Sequence, residues 1–228
     1  MKILIVSATC LEVKLLEDEF EFIEESAHLL RKYKLHEIEI DILITGNGAT
    51  FTTFHLTNTL RDNKYQLVIN VGFAGSLTDE LGIGDVVSIV TDEFADLGIE
   101  KEEEFLTLFE TGFMDANEFP FEHGILRASD FNGLIELKKV RGITTNKSHG
   151  RATSIAEIKS KYNAQVESME GAVVLYVCSW FGVPCIQIRS ISNFVEPSES
   201  SQWNIPLALE KLNLSVKEVL QKLTVEIT

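Results

Sequence analysis

Three short polar stretches, each bordering an apolar run, carry side chains able to act on a ligand. Ile188-Arg189-Ser190-Ile191-Ser192-Asn193-Phe194-Val195-Glu196-Pro197 completes the apolar run Val183 to Ile188, which reads as a buried strand. Glu167-Ser168-Met169-Glu170-Gly171-Ala172 opens an apolar helix, and Val71-Gly72-Phe73-Ala74-Gly75-Ser76 closes another strand. Ligands of open α/β sheets bind just beyond the carboxyl ends of strands, which places Arg189, Ser192 and Asn193 where chemistry is expected. Glu12, in the first helical turn after the N-terminal strand, falls on the same edge. Each has a plainer reading. A first-turn carboxylate favours the helix dipole, an arginine can be a salt-bridge partner, and an asparagine can turn the chain before Pro197. Taken together, two carboxylates (Glu12 and Glu170), an arginine and an amide suit a polar, hydroxylated, heterocyclic ligand, because they supply acceptors for hydroxyls, a fixed cation and a mixed donor-acceptor group.

Other chemistries find less support. Gly46-Asn47-Gly48 lies between a strand and a helix like a phosphate-cradling turn, but position 51 is Phe51 and no P-loop Gly-Lys-Ser/Thr occurs. A tight strand-to-helix turn is the better explanation. The five histidines, His28, His36, His55, His123 and His149, show no metal-ligand pairing, and no Cys-x-x-Cys is present. No metal and no cofactor are expected. A Gly-x-Ser-x-Gly elbow is absent and Cys10 has no local base, so covalent catalysis is not indicated.

The positioning elements follow from periodicity. Continuous apolar runs at Ile3 to Ala8, Leu67 to Val71 and Val86 to Val90 read as buried strands, and Ile38 to Ile44 as a strand exposed at its start. Helical spacing covers Leu11 to Ile23, Thr50 to Leu60, Ser154 to Tyr162, Gly171 to Phe181 and Trp203 to Leu223. Ile135 to Thr144 is strand-like. Asp96 to Gly124 is acidic and aperiodic, with Phe105, Phe109, Phe113, Phe119 and Phe121 suited either to a lid or interface or to the core. Alternating strands and helices predict an α/β sandwich with a largely parallel sheet, in a single domain over residues 1–228.

Composition narrows the partners. Twenty basic and 35 acidic side chains give a net charge of −15, which opposes binding to nucleic acid or anionic membrane surfaces. No window has the length of a membrane span. Cys10, Cys178 and Cys185 all lie in apolar segments and are expected as buried thiols in a reducing compartment, the cytoplasm.

The motifs resemble the nucleoside phosphorylase/hydrolase superfamily, and within it the nucleosidases that cut the N-glycosidic bond of 5′-substituted purine nucleosides with water. The resemblance runs through Ser7-Ala8, Glu12-Val13, Gly46-Asn47-Gly48, Ile69 to Gly75, Gly84-Asp85-Val86-Val87, Ser168-Met169-Glu170 and Arg189 to Asn193. It implies a three-layer α/β/α sandwich with a mixed, largely parallel central sheet. It also implies a small-molecule purine nucleoside as ligand and a homodimer in which the aromatic segment of one subunit covers the other's pocket. Residue by residue, Glu12 matches the base that activates water and Arg189 the arginine beside that water. Glu170 matches the residue gripping the ribose hydroxyls, Met169 the side chain against the sugar face, and Ala74 and Gly75 the backbone lining the pocket. Phe73 replaces a serine of the methylthioadenosine nucleosidases. Asn193 stands where adenine-specific relatives carry an aspartate, and an amide with hydrogens for O6 and N7 suits a 6-oxopurine. Phe94 to Glu100, Ser192 to Pro197 and Trp203-Asn204-Ile205-Pro206 look like the branch that releases hypoxanthine from a nucleoside with a carboxylate on its 5′ extension. There, Ser198, Glu199, Ser200 and Ser201 depart from a pattern rich in basic residues. The rival readings are an adenine-releasing nucleosidase and a non-catalytic nucleoside-binding or storage protein; a phosphorylase would need phosphate-binding cations that the Lys14 region lacks.

Overall fold

The first strand, β1 (Lys2–Ser7), sets the plan. Ile3 and Ile5 enter one buried cluster while Leu4 and Val6 enter another, the alternation of a strand covered on both faces. The computed structural model describes residues 1–27, 29–102, 104–131, 136–197 and 202–226. His28, Ile135 and the stretch 198–201 lie outside the described residues. After β1 come α1 (Cys10–Glu17), β2 (Glu21–Ala27), β3 (Leu30–Leu35), β4 (Ile38–Ile44), α2 (Ala49–Asp62), β5 (Leu67–Ser76) and β6 (Val86–Phe94). The chain continues with β7 (Gly98–Glu100), β8 (Phe105–Thr107), β9 (Leu126–Arg127), β10 (Lys138–Thr144) and α3 (Ala152–Lys161). It ends with β11 (Val166–Ser168), α4 (Gly171–Phe181), β12 (Cys185–Phe194) and α5 (Ile205–Glu226).

Among the described residues, one ten-stranded sheet runs β11-β10-β6-β12-β5-β1-β4-β3-β2, with β9 beside β6. Pairing is parallel through β4-β1-β5-β12 and again through β6-β10-β11, and the two runs meet antiparallel at β12 and β6. Because β11 also pairs with β5, the strands β5, β12, β6, β10 and β11 close into a small barrel. Each contributes to one apolar cluster, with Ala74, Val87, Ile89, Val140, Val166 and Ile191. Helices α1 and α5 cover one face of the sheet through Val13, Leu16, Leu212, Val216 and Leu220. On the other face lie α2 and α4, through Leu56, Leu60, Val174 and Leu175. The three-layer sandwich with a mixed sheet is therefore the observed architecture.

Three expectations are corrected. The helix expected over Leu11–Ile23 ends at Glu17, where Glu17, Asp18 and Glu19 crowd negative charge onto the negative end of the helix dipole; Phe22 and Ile23 belong to β2 instead. The last strand does not stop at Ile188. It pairs with β5 from Arg189 opposite Gly72 to Phe194 opposite Ser76, with a bulge between Ile191 and Asn193 where Ser192 has no partner, so Arg189 and Asn193 sit within paired strands. Cys10 is exposed at the start of α1, whereas Cys178 and Cys185 are buried. The aperiodic segment divides: Phe121 packs edge-on against Phe94 and Phe109, while Phe113 and Phe119 are exposed. Among the described residues no helix is long and apolar enough to cross a membrane.

Candidate active site

Glu12 is both the helix-start residue and the centre of a cross-linked site. As the third residue of α1 it completes a capping box with Thr9, whose N–H and Oγ1–H donate to Oε2 at 2.9 and 3.0 Å. The Ser7 hydroxyl donates to the same oxygen at 2.9 Å. Oε1 accepts one bond, from the Phe73 N–H of β5 at 3.2 Å. Asn213 of α5 holds the Glu12 backbone carbonyl at 3.0 Å. One carboxylate oxygen is thus saturated by three donors, and the other keeps a lone pair for a further partner.

Arg189 is the largest fully buried side chain, 1% exposed. Nη2 donates to Asn70 Oδ1 at 2.5 Å, and Nη1 lies 3.7 Å from Glu170 Oε2. Gly72 makes the convergence possible. A Cβ there would stand 2.5 Å from Arg189 Nη1 and 2.8 Å from Glu12 Oε1, so only a glycine lets both groups lie against the strand. Glu170, buried at the N-cap of α4, accepts the Gly48 N–H at 2.8 Å. Burial pushes its carboxyl above the ordinary range, while the Arg189 charge and the Gly48 N–H pull it back. The Gly46-Asn47-Gly48 turn therefore serves this carboxylate, and the Met169 methyl packs near Gly48.

The other end is neutral. Asn193 is buried; Oδ1 accepts the Ser192 hydroxyl at 2.8 Å and Nδ2 donates to Phe194 O at 3.0 Å. The expectation of two amide hydrogens for a base is corrected, since Phe194 occupies one. Ser192 Oγ also approaches Ala74 O at 3.5 Å. A Cβ on Gly75 would lie 3.4 Å from Asn193 Nδ2. Gly72, Phe73, Ala74 and Gly75 thus form a spine that touches Glu12 and Arg189 at one end and Asn193 at the other.

Beneath Arg189 sits Asp92 of β6, two residues beyond the strand expected over Val86 to Val90. It accepts from Thr144 Oγ1 at 2.9 Å and from Gln187 Nε2 at 3.2 Å. Burial pushes its carboxyl up to about 7, against the pull of these bonds and of Arg189. Gln187 Oε1 is buried without a donor, and a Cβ on Gly171 would collide with both residues. Ser7, Thr9, Asn70 and Gly48 were also missed as site residues. Two of these carry a local signal, Thr9 in the Thr-x-x-Glu spacing of a capping box and Gly48 in the Gly-Asn-Gly turn between a strand and a helix. Among the described residues no group of three His, Cys, Asp or Glu side chains is placed to hold a metal ion.

The model of the phosphorylase superfamily matches residues 2–221. The chain belongs to that superfamily. Within it, the chain falls in the group of purine nucleoside N-glycosidases that contains the futalosine hydrolases and the methylthioadenosine nucleosidases. It is 30% identical to the futalosine hydrolase of Streptomyces coelicolor over 181 residues, 77% of this chain and 76% of the relative. It is 26% identical to the 5′-methylthioadenosine/S-adenosylhomocysteine nucleosidase of Glaesserella parasuis, over 92% of this chain and 94% of that one. The native structure of futalosine hydrolase of Helicobacter pylori superposes with a TM-score of 0.79 at 23% identity, covering 97% of this chain and 98% of that one, a likeness of fold.

Proposed function

We infer that this chain hydrolyses futalosine, releasing hypoxanthine and dehypoxanthine futalosine, in an alternative route to menaquinone. The observation that carries the choice of base is Asn193, a neutral amide at the end of β12 with one N–H that no other described residue accepts. That hydrogen suits the acceptors O6 and N7 of a 6-oxopurine, where an ionised carboxylate would meet lone pairs. The identity to futalosine hydrolases supports the same reading.

In this mechanism the glycosidic bond lengthens toward an oxocarbenium-like sugar while Asn193 hydrogen-bonds the departing purine. Glu12 Oε1, with its spare lone pair, takes the proton of the attacking water. Its oxygen bonds C1′ as the C1′–N9 pair leaves with the base, and the proton returns to the hypoxanthine product. Base assistance of this kind contributes about 10²- to 10⁴-fold. Glu170 accepts from the ribose hydroxyls, Met169 packs on the sugar, and Phe73, Ala74 and Gly75 line the wall. Arg189 holds Glu170 and faces the water.

Incubation with futalosine, inosine and methylthioadenosine, with and without phosphate, tests the reading. Hypoxanthine from futalosine at a phosphate-independent rate is expected. Adenine from methylthioadenosine as the dominant product overturns it in favour of the adenine-releasing nucleosidase, a reading favoured by the fuller length match to the Glaesserella parasuis relative. The protein is read as a cytoplasmic homodimer joined through exposed aromatics such as Phe51, Phe54, Phe113, Phe119 and Trp180. Sedimentation giving a monomer at micromolar concentration would remove that part.

A further inference from the structure

Two buried ionisable side chains beside the base end have no role in the mechanism above. His149 lies in the loop between β10 and α3, and Glu167 lies in β11. Glu167 grips the histidine twice: Oε1 accepts the His149 backbone N–H at 3.0 Å, and Oε2 contacts Nδ1. Such a clamp fixes both ring orientation and tautomer. In the uncharged imidazole the proton sits on Nδ1, facing the carboxylate, and Nε2 keeps its lone pair. Among the described residues no group hydrogen-bonds Nε2, and it is not one of the buried polar atoms left without a partner. His149 also lines a cavity of about 580 Å³ together with Ala95, Asp96 and Tyr162. None of the residues assigned above to the sugar or the base lines that cavity, so the link from His149 to the base rests on the sheet register.

The sheet register brings this pair alongside Asn193. Glu167 is opposite Gly75 across β11 and β5, and Gly75 is opposite Asn193 across β5 and β12. Directly paired residues point to the same face of a sheet. The Asn193 amide lies against the position a Gly75 Cβ would take, so Glu167 and Asn193 rise from one face with a residue lacking a side chain between them.

A 6-oxopurine edge carries acceptors at N7 and O6 but a donor at N1, whereas adenine has an acceptor at N1 and a donor at its amino group. One free Asn193 hydrogen reads only the acceptor part. We propose that His149 Nε2 accepts the N1–H of the hypoxanthine ring, with Glu167 as the positioning residue that holds the acceptor tautomer. His149 is then a specificity-determining residue, since an adenine N1 would set lone pair against lone pair. This assignment rests on the 6-oxopurine reading and adds the reader that Asn193 alone does not supply.

The test compares kcat/KM for futalosine and its N1-methyl derivative, in which the donor is gone. The wild-type protein is expected to prefer futalosine by about 100-fold, the scale of leaving one buried acceptor unpaired. His149→Leu, close in volume but without an acceptor, should lose about 100-fold on futalosine and remain within about threefold on the methyl derivative. His149→Gln, whose amide oxygen can accept, should recover futalosine turnover to within about tenfold of wild type. A Leu variant that loses equally on both substrates overturns the assignment. So does a wild-type protein that cleaves both equally, a comparison that needs no variant to fold. Release of adenine without hypoxanthine by the wild-type protein removes the 6-oxopurine reading and this assignment with it.

Discussion

At the sugar end of the site, charged side chains are tied to distant parts of the chain: Glu12 to Phe73, Arg189 to Asn70, Glu170 to Gly48. At the base end, Asn193 is held by Ser192 and Phe194, its own neighbours in sequence. The difference separates what can drift from what cannot. Hydrogen bonds to charged groups contribute about 1.5–3 kcal/mol each, and here they fasten a helix to a strand, one strand to another, and the N-terminal ends of two helices together. Altering the sugar end therefore disturbs the fold and the reaction at once. On the proposed reading, the base end can change its ligand preference by one substitution with little effect on packing.

The largest break in this comparison is expected from Glu12→Gln. Its amide cannot accept on both sides, so either the three-donor cluster or the Phe73 N–H loses its partner, and the water loses its base. Turnover should fall by about 10²- to 10⁴-fold with nucleoside binding largely intact; retention of more than about a tenth of kcat in a single-turnover assay would exclude Glu12 as the base. Next comes Asn193→Asp, which tests the exchangeable end. The ratio of kcat/KM for futalosine to that for its 6-amino counterpart should move by about 100-fold toward the amino compound, with a melting temperature close to wild type. An unchanged ratio would show that Asn193 does not read the base. Glu170→Ala should weaken riboside binding by about 10- to 100-fold and leave free hypoxanthine much less affected, because only the sugar hydroxyls need the carboxylate. Calorimetry with both ligands decides, and equal losses contradict the role.

Asp92→Asn has the least expected effect on turnover and is read as stability against pH. The native carboxyl titrates at about 7 and the ordinary value is 3.8. Between these the native state holds a proton that the unfolded chain has released, so this group's contribution falls as pH rises through the window, by at most about 4 kcal/mol, and is flat above it. The variant lacks this loss. Its urea midpoint relative to wild type should improve from about pH 4 to pH 8, and a constant difference would refute the raised titration.

The legibility of the chain follows the same division. Glu12, Glu170, Arg189 and Asn193 could be found because each stands at the end of an apolar run. The apolar helix Gly171 to Phe181 could be found because nothing in it competes with burial. The barrel closure was not legible. It depends on β11, three residues long, pairing on both sides, and Val166-Glu167-Ser168 has no periodicity to announce a strand. The apolar run of β12 ends at Ile188, and Arg189, Ser190, Ser192 and Asn193 look like a loop in sequence. Partners from Asn70 and Ala74 make Arg189 and Ser192 tolerable inside the ladder, and those partners lie over a hundred positions away. Asp92 and the His149–Glu167 pair were hidden for the same reason, since their meaning is set by what the fold brings against them.

A sheet that curls shut at one side leaves its unpaired border at the other, and here that border is β2. Its backbone is a ready template for a foreign strand. Phe22 and Ile23 are exposed on it, an invitation to aggregate. Glu21, Glu24 and Glu25 stand beside them, and any copy of this strand docking there would bring its own acids against these three. Part of the chain's large negative charge is thus placed where it keeps neighbouring molecules from extending the sheet.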